Sequence, residues 1–172
     1  MIDTNKLDNI LPRVSKPARY TGGELGEVKK DIHAGVTRFV FCFPDVYEVG
    51  MSHLGTSLLY HLLNTLPDVY AERCFAPWPD MEQALREAGL PLYSLETKTP
   101  LGEFDMLGFS LSYEMSYTNV LSMLALSGLP LRAADRGEGY PLVIAGGGCT
   151  VNPEPMADFF DLFVIGEGEE VL

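Results

Sequence analysis

The sequence has few basic residues and no long apolar segment. Only 12 Lys and Arg stand against 24 Asp and Glu, a net charge of -12, which argues against a surface that follows nucleic-acid phosphates. No apolar run reaches the roughly 20 residues of a membrane span, and the first residues lack the apolar core of a signal peptide. We therefore expect a cytoplasmic protein that binds neither membrane nor nucleic acid.

Cysteines are also few. Cys42, Cys74 and Cys149 are odd in number and far apart, which excludes a disulfide framework and favours reduced thiols. A local zinc or iron–sulfur motif needs at least two cysteines within a few residues, so none is predicted. His53 and His61 lack a second ligand at metal spacing, and the serines lack histidine and acid partners for a hydrolase.

The composition fits a folded domain with a polar lead-in. With 172 residues, 47% of them hydrophobic, the chain can bury one core. Residues 1–35 are rich in turn formers and predict an N-terminal arm rather than a core element. Residues 36–172 form the predicted domain. Its last residues, 167–172, resemble the first turn of a helix, so we interpret the chain as a piece of a longer protein.

Apolar patterns alternate between strand and helix. Buried strands are predicted at 38–43, 69–75, 106–111, 143–145 and 163–165, a small extra strand at 92–95, and helices at 54–66, 80–88, 120–126 and 155–160. This alternation predicts an α/β fold with a mostly parallel sheet and helices on both faces. A Rossmann-like fold with flavodoxin-like strand order fits it best.

Unusual loops follow three of the predicted strands. Residues 45–50 follow the first strand, 110–117 the third and 146–148 the fourth. The carboxyl ends of parallel strands share one edge, where α/β sheets bind ligands. Glycines there allow close backbone approach, and hydroxyls and aromatic rings can cover a flat organic ligand.

These loops have a simpler interpretation as helix starts. Ser52 is the candidate cap of the first helix, and Ser116 or Thr118 of the helix after the third strand. Both interpretations stay open on the residues alone.

Together the loops resemble the cobalamin-binding domain of methionine synthases and mutases. That pattern is D-x-H-x-x-G after the first strand, S-x-L after a middle strand and G-G after the next. Here Asp45 to Gly50 match the first with Tyr47 in place of histidine, Ser110 to Ser112 match the second with serine in place of leucine, and Gly147 and Gly148 match the third.

A more specific resemblance is to the N-terminal domain of cobalamin-binding radical S-adenosylmethionine (SAM) proteins. Its marks are the glycine-rich strand end, the N-P-E turn at 152–155, Asp161, and G-E-G-E at 166–169. The arm segment 16–25 is similar to the start of a large, uncharacterised bacterial branch of that group. The resemblance covers nearly the whole chain.

The resemblance implies a tentative cobalamin site without catalytic residues or metal ligands of its own. The corrinoid would lie over the sheet edge, contacting Asp45, Tyr47, Gly50, Ser110, Ser112, Tyr113, Gly147, Gly148 and Glu167. Because Tyr47 replaces the histidine, the resemblance implies that cobalt receives no histidine ligand from this loop, which leaves its lower face to Tyr47 or water. His53 is an alternative ligand, but it lies out of register with the motif. The 4Fe-4S cluster and SAM would belong to a downstream radical SAM domain, the expected partner of this domain.

Two alternatives belong beside this hypothesis. In the first, the domain keeps the fold but has lost the cofactor and serves as a scaffold or substrate-docking unit; the replaced histidine and the altered S-x-L motif support this. A free-standing flavodoxin-like or nucleotide-binding protein is disfavoured, since no phosphate-cradling loop is present.

Overall fold

The computed structural model describes residues 1–171, which form an α/β fold around one sheet. The strands are β1 (Thr37–Phe43), β2 (Val69–Phe75), β3 (Met106–Ser110), β4 (Leu142–Gly146) and β5 (Leu162–Phe163). Their order is β2-β1-β3-β4-β5, and all neighbouring pairs are parallel. The predicted fold class is therefore confirmed. The chain leaves β1 in one direction and β3 in the other, so the switch point lies between these two strands.

Six α-helices lie within residues 1–171: one precedes the first strand, four lie between strands and one follows the last strand. They are α1 (Thr4–Ile10), α2 (Tyr47–Met51), α3 (Leu54–Thr65), α4 (Pro79–Ala88), α5 (Tyr117–Leu126) and α6 (Gly168–Val171). The predicted crossover helix before β5 is a 3-10 helix, Glu154–Phe159. Within residues 1–171, no helix combines the length and apolar character needed to cross a bilayer.

One face of the sheet, here called the closed face, is covered along its whole width. Alternate strand residues such as Val40, Leu107 and Val143 point to it, as expected for the two-residue period of a strand. They pack against α1, α4, α5 and Met156. This layer holds most of the buried apolar side chains.

The first residues of the arm belong to that layer. Ile2, Leu7, Ile10 and Val14 are buried in the same cluster as the strands. The expectation that the arm is not a core element is therefore wrong for this part. This packing is hard to see in the sequence, because only one side of the short helix α1 is apolar and polar residues separate its apolar positions. The predicted division at residue 35 stays a prediction.

The opposite face, here called the open face, carries α3 over β1 and β2. Phe39, Phe41 and Ile144 pack there against Tyr60 and Leu63 of α3. The leucines whose spacing predicted this helix lie mostly on its outer side, since Leu54, Leu58, Leu62 and Leu66 are exposed. Thus α3 buries the side that carries Tyr60 and Leu63, whereas these four leucines remain exposed to solvent.

A loop rather than a strand protects the edge of the sheet at β2. The predicted strand at 92–95 is wrong, because Tyr93 forms only an isolated bridge with Pro100. The backbone N–H of Leu95 donates to the carbonyl of Arg73 (2.7 Å), and the Arg73 N–H donates to the Glu96 carboxylate (2.8 Å). Outward backbone groups of an edge strand need such partners, and here one turn and one side chain supply them.

Candidate functional site

A cavity of about 240 Å³ lies between α3 and the carboxyl edge of the sheet. It lies beside the switch point between β1 and β3, where open α/β sheets bind ligands. Its walls come from β1, β3, β4, α3 and the segment around α6: Phe39, Phe41, His53, Gly55, Thr56, Leu59, Gly108, Phe109, Ser110, Ile144, Gly146, Gly147, Val164, Gly166, Glu167, Gly168 and Glu169.

Glycine is the most frequent residue in these walls. Six glycines from four parts of the chain line the cavity: Gly55, Gly108, Gly146, Gly147, Gly166 and Gly168. The space where a side chain would lie is filled by a neighbour at one of these glycines and empty at another. The ring of Phe39 fills the place of a Cβ at Gly108, whereas a Cβ on Gly146 meets no atom within 4 Å. Gly146 thus leaves free volume that a ligand can occupy.

Gly147 is required by the backbone itself. Its φ is +100°, and an added Cβ would lie 2.8 Å from the carbonyl oxygen of Leu111. Two hydrogen bonds hold the loops in this close approach: Leu111 N–H donates to Gly146 O (2.7 Å), and Cys149 N–H donates to Leu111 O (3.0 Å). The glycine run therefore joins the ends of β3 and β4 at the cavity.

His53 is one of three polar residues in the cavity wall, with Thr56 and Glu169, that the sequence prediction did not place in the site. Its Nδ1 accepts a hydrogen bond from Thr56 N–H (3.1 Å), which caps α3. The predicted cap Ser52 is wrong, because its hydroxyl donates to Val49 O (2.9 Å) at the end of α2. A histidine three residues before Thr56, just ahead of the helix, was the available signal. With Nδ1 accepting, the neutral ring carries its proton on Nε2.

Three of the predicted site residues lie in the cavity wall. Ser110 ends β3, Gly147 follows β4, and Glu167 precedes α6. They come from three separate parts of the sequence. The parallel strands bring them together because all carboxyl ends meet at one edge.

Four others lie in loops at the same edge without lining the cavity. The Tyr113 hydroxyl donates to the Asp45 carboxylate (2.9 Å), which links the loops after β1 and β3 across the switch point. This hydrogen bond raises the pKa of Tyr113. Ser112 and Gly148 are exposed beside them. Ser116 stands at the predicted N-cap position of α5, but its side chain makes no capping hydrogen bond, and its hydroxyl donates instead to Tyr113 O (2.8 Å).

The remaining two, Tyr47 and Gly50, lie away from the cavity on the β2 side. The Tyr47 ring meets the edge of Phe75 at 5.5 Å between centroids. Burial, together with a hydrogen bond to Glu24, raises the pKa of Tyr47 to about 12. Gly50 is buried against the rings of Phe43 and Phe75. Tyr47 therefore contacts the arm and β2 and does not face the cavity.

The charge around the cavity is negative. Its wall contains the carboxylates of Glu167 and Glu169 and no Lys or Arg. Over the part of the chain that the structure describes, no three His, Cys, Asp or Glu side chains group as metal ligands. An uncharged or cationic group suits such a wall better than a phosphate.

The fold and cavity define a doubly wound α/β domain with a ligand-sized space at its switch point. Residues 55–172 match the family described as radical SAM proteins, N-terminal. The match covers more than half of the chain, so the chain belongs to this family.

The chain is also similar to another protein over part of its length. An uncharacterised protein of Methanocaldococcus jannaschii is 29% identical over 85 residues, which are 49% of this chain and 18% of that protein. The chain thus corresponds to a small part of this relative's length. No solved structure matches the chain significantly.

Proposed function

We propose that this region of a radical SAM protein is a cobalamin-binding domain that holds the terminal base of the corrinoid's nucleotide tail in the glycine-lined cavity. The observation that carries the proposal is the convergence of Ser110, Gly146 and Gly147 on one cavity at the switch point. When bound, cobalamin supplies a cobalt–carbon bond for methyl transfer or rearrangement.

The size of the cavity supports a tail rather than a whole ligand. Pockets that enclose a complete drug-sized ligand measure about 300 to 1,000 Å³, and this one measures about 240 Å³. A flat bicyclic base, such as the one that ends the cobalamin tail, needs only part of such a pocket. The corrin ring would stay above the edge, near the exposed loops that carry Asp45, Ser112, Tyr113 and Gly148.

The wall chemistry favours cobalamin over a nucleotide cofactor. A flavin or nicotinamide nucleotide brings terminal or paired phosphates, which proteins bind with glycine-rich loops at helix N-termini or with basic side chains. The cavity wall has two glutamates and no basic residue. The base that ends the cobalamin tail is uncharged, so it can enter this wall without a counter-ion, while the single negatively charged phosphate of the tail would lie outside the cavity, away from Glu167 and Glu169.

The protein side of cobalt lacks a histidine from the loops described here. Tyr47 packs on Phe75, and Nδ1 of His53 is occupied by the helix cap. Bound cobalamin should therefore show the spectrum of a form whose base has left the cobalt and has not been replaced by imidazole. The 4Fe-4S cluster and SAM belong, in this proposal, to the remainder of the full-length protein.

The test is a spectral titration with two matched variants. Hydroxocobalamin and adenosylcobalamin should change their visible spectra with the wild-type chain and co-elute with it in gel filtration. Gly146→Phe should weaken binding at least tenfold by filling the cavity, since its Cβ position is free and its φ is not positive. Gly137→Phe is the matched control: Gly137 is exposed, an added Cβ meets no atom within 4 Å, its φ is not positive, and it lies outside the cavity wall and the predicted site, so this variant should bind normally.

Two results would overturn the cobalamin proposal: an unchanged corrin spectrum with the folded wild-type chain, or equal affinity of the Gly146→Phe and Gly137→Phe variants. The first result would favour the second candidate function, a cofactor-less docking domain. One observation already points that way, because Asp45 is engaged by Tyr113 while Tyr47 lies against β2.

A further inference from the structure

The cavity wall carries a hydroxyl group that has no partner within the protein. Ser110 ends β3 on the same face as Gly108, because side chains alternate along a strand, and it pairs in register with Gly146 of β4. Its hydroxyl therefore lies beside the empty space over Gly146. Among the described residues this hydroxyl makes no hydrogen bond, and it is not sealed from solvent. It is free to donate to a ligand or to accept from one.

His53 supplies a second donor, from the start of α3. Its Nδ1 accepts from Thr56 N–H (3.1 Å), so the neutral ring carries its proton on Nε2. Nε2 has no hydrogen-bond partner among residues 1–171 and is not buried. The ring packs on Phe43 at 5.0 Å between centroids. The helix cap and this packing fix the ring, so a ligand in the cavity meets a donor that is already in place.

The segment around α6 supplies hydrogen-bond acceptors. The carboxylates of Glu167 and Glu169 belong to the wall, which has no Lys or Arg to pair with them. Ionised carboxylates only accept hydrogen bonds. Between these acceptors and the two donors lie apolar side chains, among them Phe41, Leu59 and Ile144. The cavity therefore combines apolar contact with donors on one part of its wall and acceptors on another.

We propose that this cavity selects an aminopurine base, such as adenine, over a methylated benzimidazole, and that His53 and Ser110 set the preference. Adenine offers ring-nitrogen acceptors and an exocyclic amino donor, which match the donors and the carboxylates of the wall. Dimethylbenzimidazole, the base of cobalamin, has methyl groups and no amino group. It would leave one wall donor and the carboxylates unpaired, and a site discriminates against a ligand that cannot pair its polar groups. The inference rests on the proposed function, because it names the base of the bound cobamide.

Two cobamides that differ only in the base test the preference. In spectral titrations of the hydroxo forms, adeninylcobamide should bind the wild-type chain about tenfold more tightly than cobalamin, the equivalent of one additional hydrogen bond. Free adenine and purine, which lacks the amino group, form a second arm that needs no corrin. Adenine should show NMR saturation transfer from the chain, Gly146→Phe should abolish it, and purine should bind more weakly.

Variants of His53 separate selection from helix capping. His53→Phe keeps an aromatic ring but removes the N–H donor, so the affinity for adeninylcobamide should fall about tenfold while the affinity for cobalamin stays nearly constant. Because phenylalanine cannot cap α3, His53→Asn is the second variant. Asparagine is a favoured N-cap residue, so His53→Asn should keep the wild-type urea midpoint and still lack the preference.

Ser110→Ala tests the other donor. It removes the hydroxyl and should reduce the preference for adeninylcobamide without a change in the urea midpoint. Ser57→Ala is the matched control, since Ser57 is also half-buried but lies outside the cavity wall. Its preference should equal that of the wild type.

The outcomes distinguish this inference from the proposed function. Equal affinities for the two cobamides, or tighter binding of cobalamin, would overturn the base preference and leave the proposed function intact. Equal weakening of both cobamides by His53→Phe would overturn the role of His53 in selection, because it would then act only through the helix cap. If neither cobamide bound, the proposed function would fail, and adenine would decide the rest: saturation transfer that Gly146→Phe abolishes would support an aminopurine site, and its absence would overturn that site too. If His53→Phe fails to fold, His53→Asn and Ser110→Ala answer the same question.

Discussion

The two faces of the sheet are covered to very different extents. On the closed face, Val40, Leu107 and Val143 have no exposed surface. On the open face, the side chains of Leu142 and Leu162 keep about half of their surface exposed. The cavity lies on this face, at the carboxyl ends of the strands. The closed face therefore supplies the support, while the open face keeps space for a ligand. Binding elements are commonly drawn from the less stable side of a domain.

The largest effect should come from a buried charge on the closed face. Glu72 is fully buried, and its carboxylate accepts hydrogen bonds from Arg38, from Thr97 N–H (3.1 Å) and from the Thr97 hydroxyl (2.7 Å). Arg38→Leu leaves this charge without its cation, which should cost about 3 to 5 kcal/mol, measured by urea unfolding.

The double variant Arg38→Leu/Glu72→Leu is the control. It removes both charges and should recover most of the lost stability, because replacing a whole buried pair is often neutral. A loss below about 1 kcal/mol for the single variant would show that water reaches Glu72 and that the closed face is less closed than described.

The next prediction compares two neighbours on β3. Leu107 lies fully buried on the closed face and Met106 half-buried on the open face. Leu107→Ala should destabilise the chain by about 2 to 5 kcal/mol through lost burial and a residual cavity. Met106→Ala should cost less than half as much in the same denaturation experiment. Equal losses would contradict the contrast between the faces.

The same contrast explains how far the sequence predicts the fold. The buried residues of β1 and β4 form short apolar runs that end at proline and glycine respectively, so these strands and their parallel order were predictable. The packing of the first residues of the arm on the closed face could not be predicted in this way. In α1 only Leu7 and Ile10 are buried, too few positions for a helical period to stand out from the turn formers around them.

The candidate site was predictable in part for a related reason. Ser110 and Gly147 follow obvious strands, so the rule for sheet edges brings them to the cavity. Which way a loop side chain turns depends on packing that no local pattern encodes. Tyr47 turns to Phe75 and Glu24, and His53 rather than Ser52 caps α3, because the Ser52 hydroxyl bonds within the preceding turn.

A smaller effect tests whether the arm helps to close its face. Leu7 is 4% exposed in the core of the closed face, so Leu7→Ala should cost about 2 kcal/mol, near the lower end for a buried leucine because α1 lies at the chain terminus. Leu25 belongs to the same arm and is fully exposed, so Leu25→Ala should be neutral. Urea midpoints of both variants check this, and an equal shift of both would refute it.

The smallest effect concerns the polar part of the arm, where ion pairs replace apolar burial. The Glu48 carboxylate of α2 accepts hydrogen bonds from Arg19 and Lys16 (both 2.9 Å), and these lower the pKa of Glu48 to about 2. Since the pKa in the folded state lies below the unfolded value of about 4.3, the pairs stabilise the fold above that pH. Their contribution is lost as the pH falls through about 2.

At pH values above 5, Glu48→Gln should therefore cause a small decrease in the urea midpoint. This difference in midpoint from the wild type should shrink as the pH falls from 4.3 to 2. A carbon-detected NMR titration of the Glu48 carboxyl group measures the same shift directly, and a pKa near 4.3 would exclude the pairs. The effect stays small because the side chains of Glu48 and Lys16 are 43% and 67% exposed, where solvent and salt screen the attraction. If Glu48→Gln nevertheless destabilised the chain as much as Leu7→Ala, the ion pairs of Glu48 would stabilise the docking of the arm as much as apolar burial does. The contrast between the two faces would then not rest on apolar burial alone.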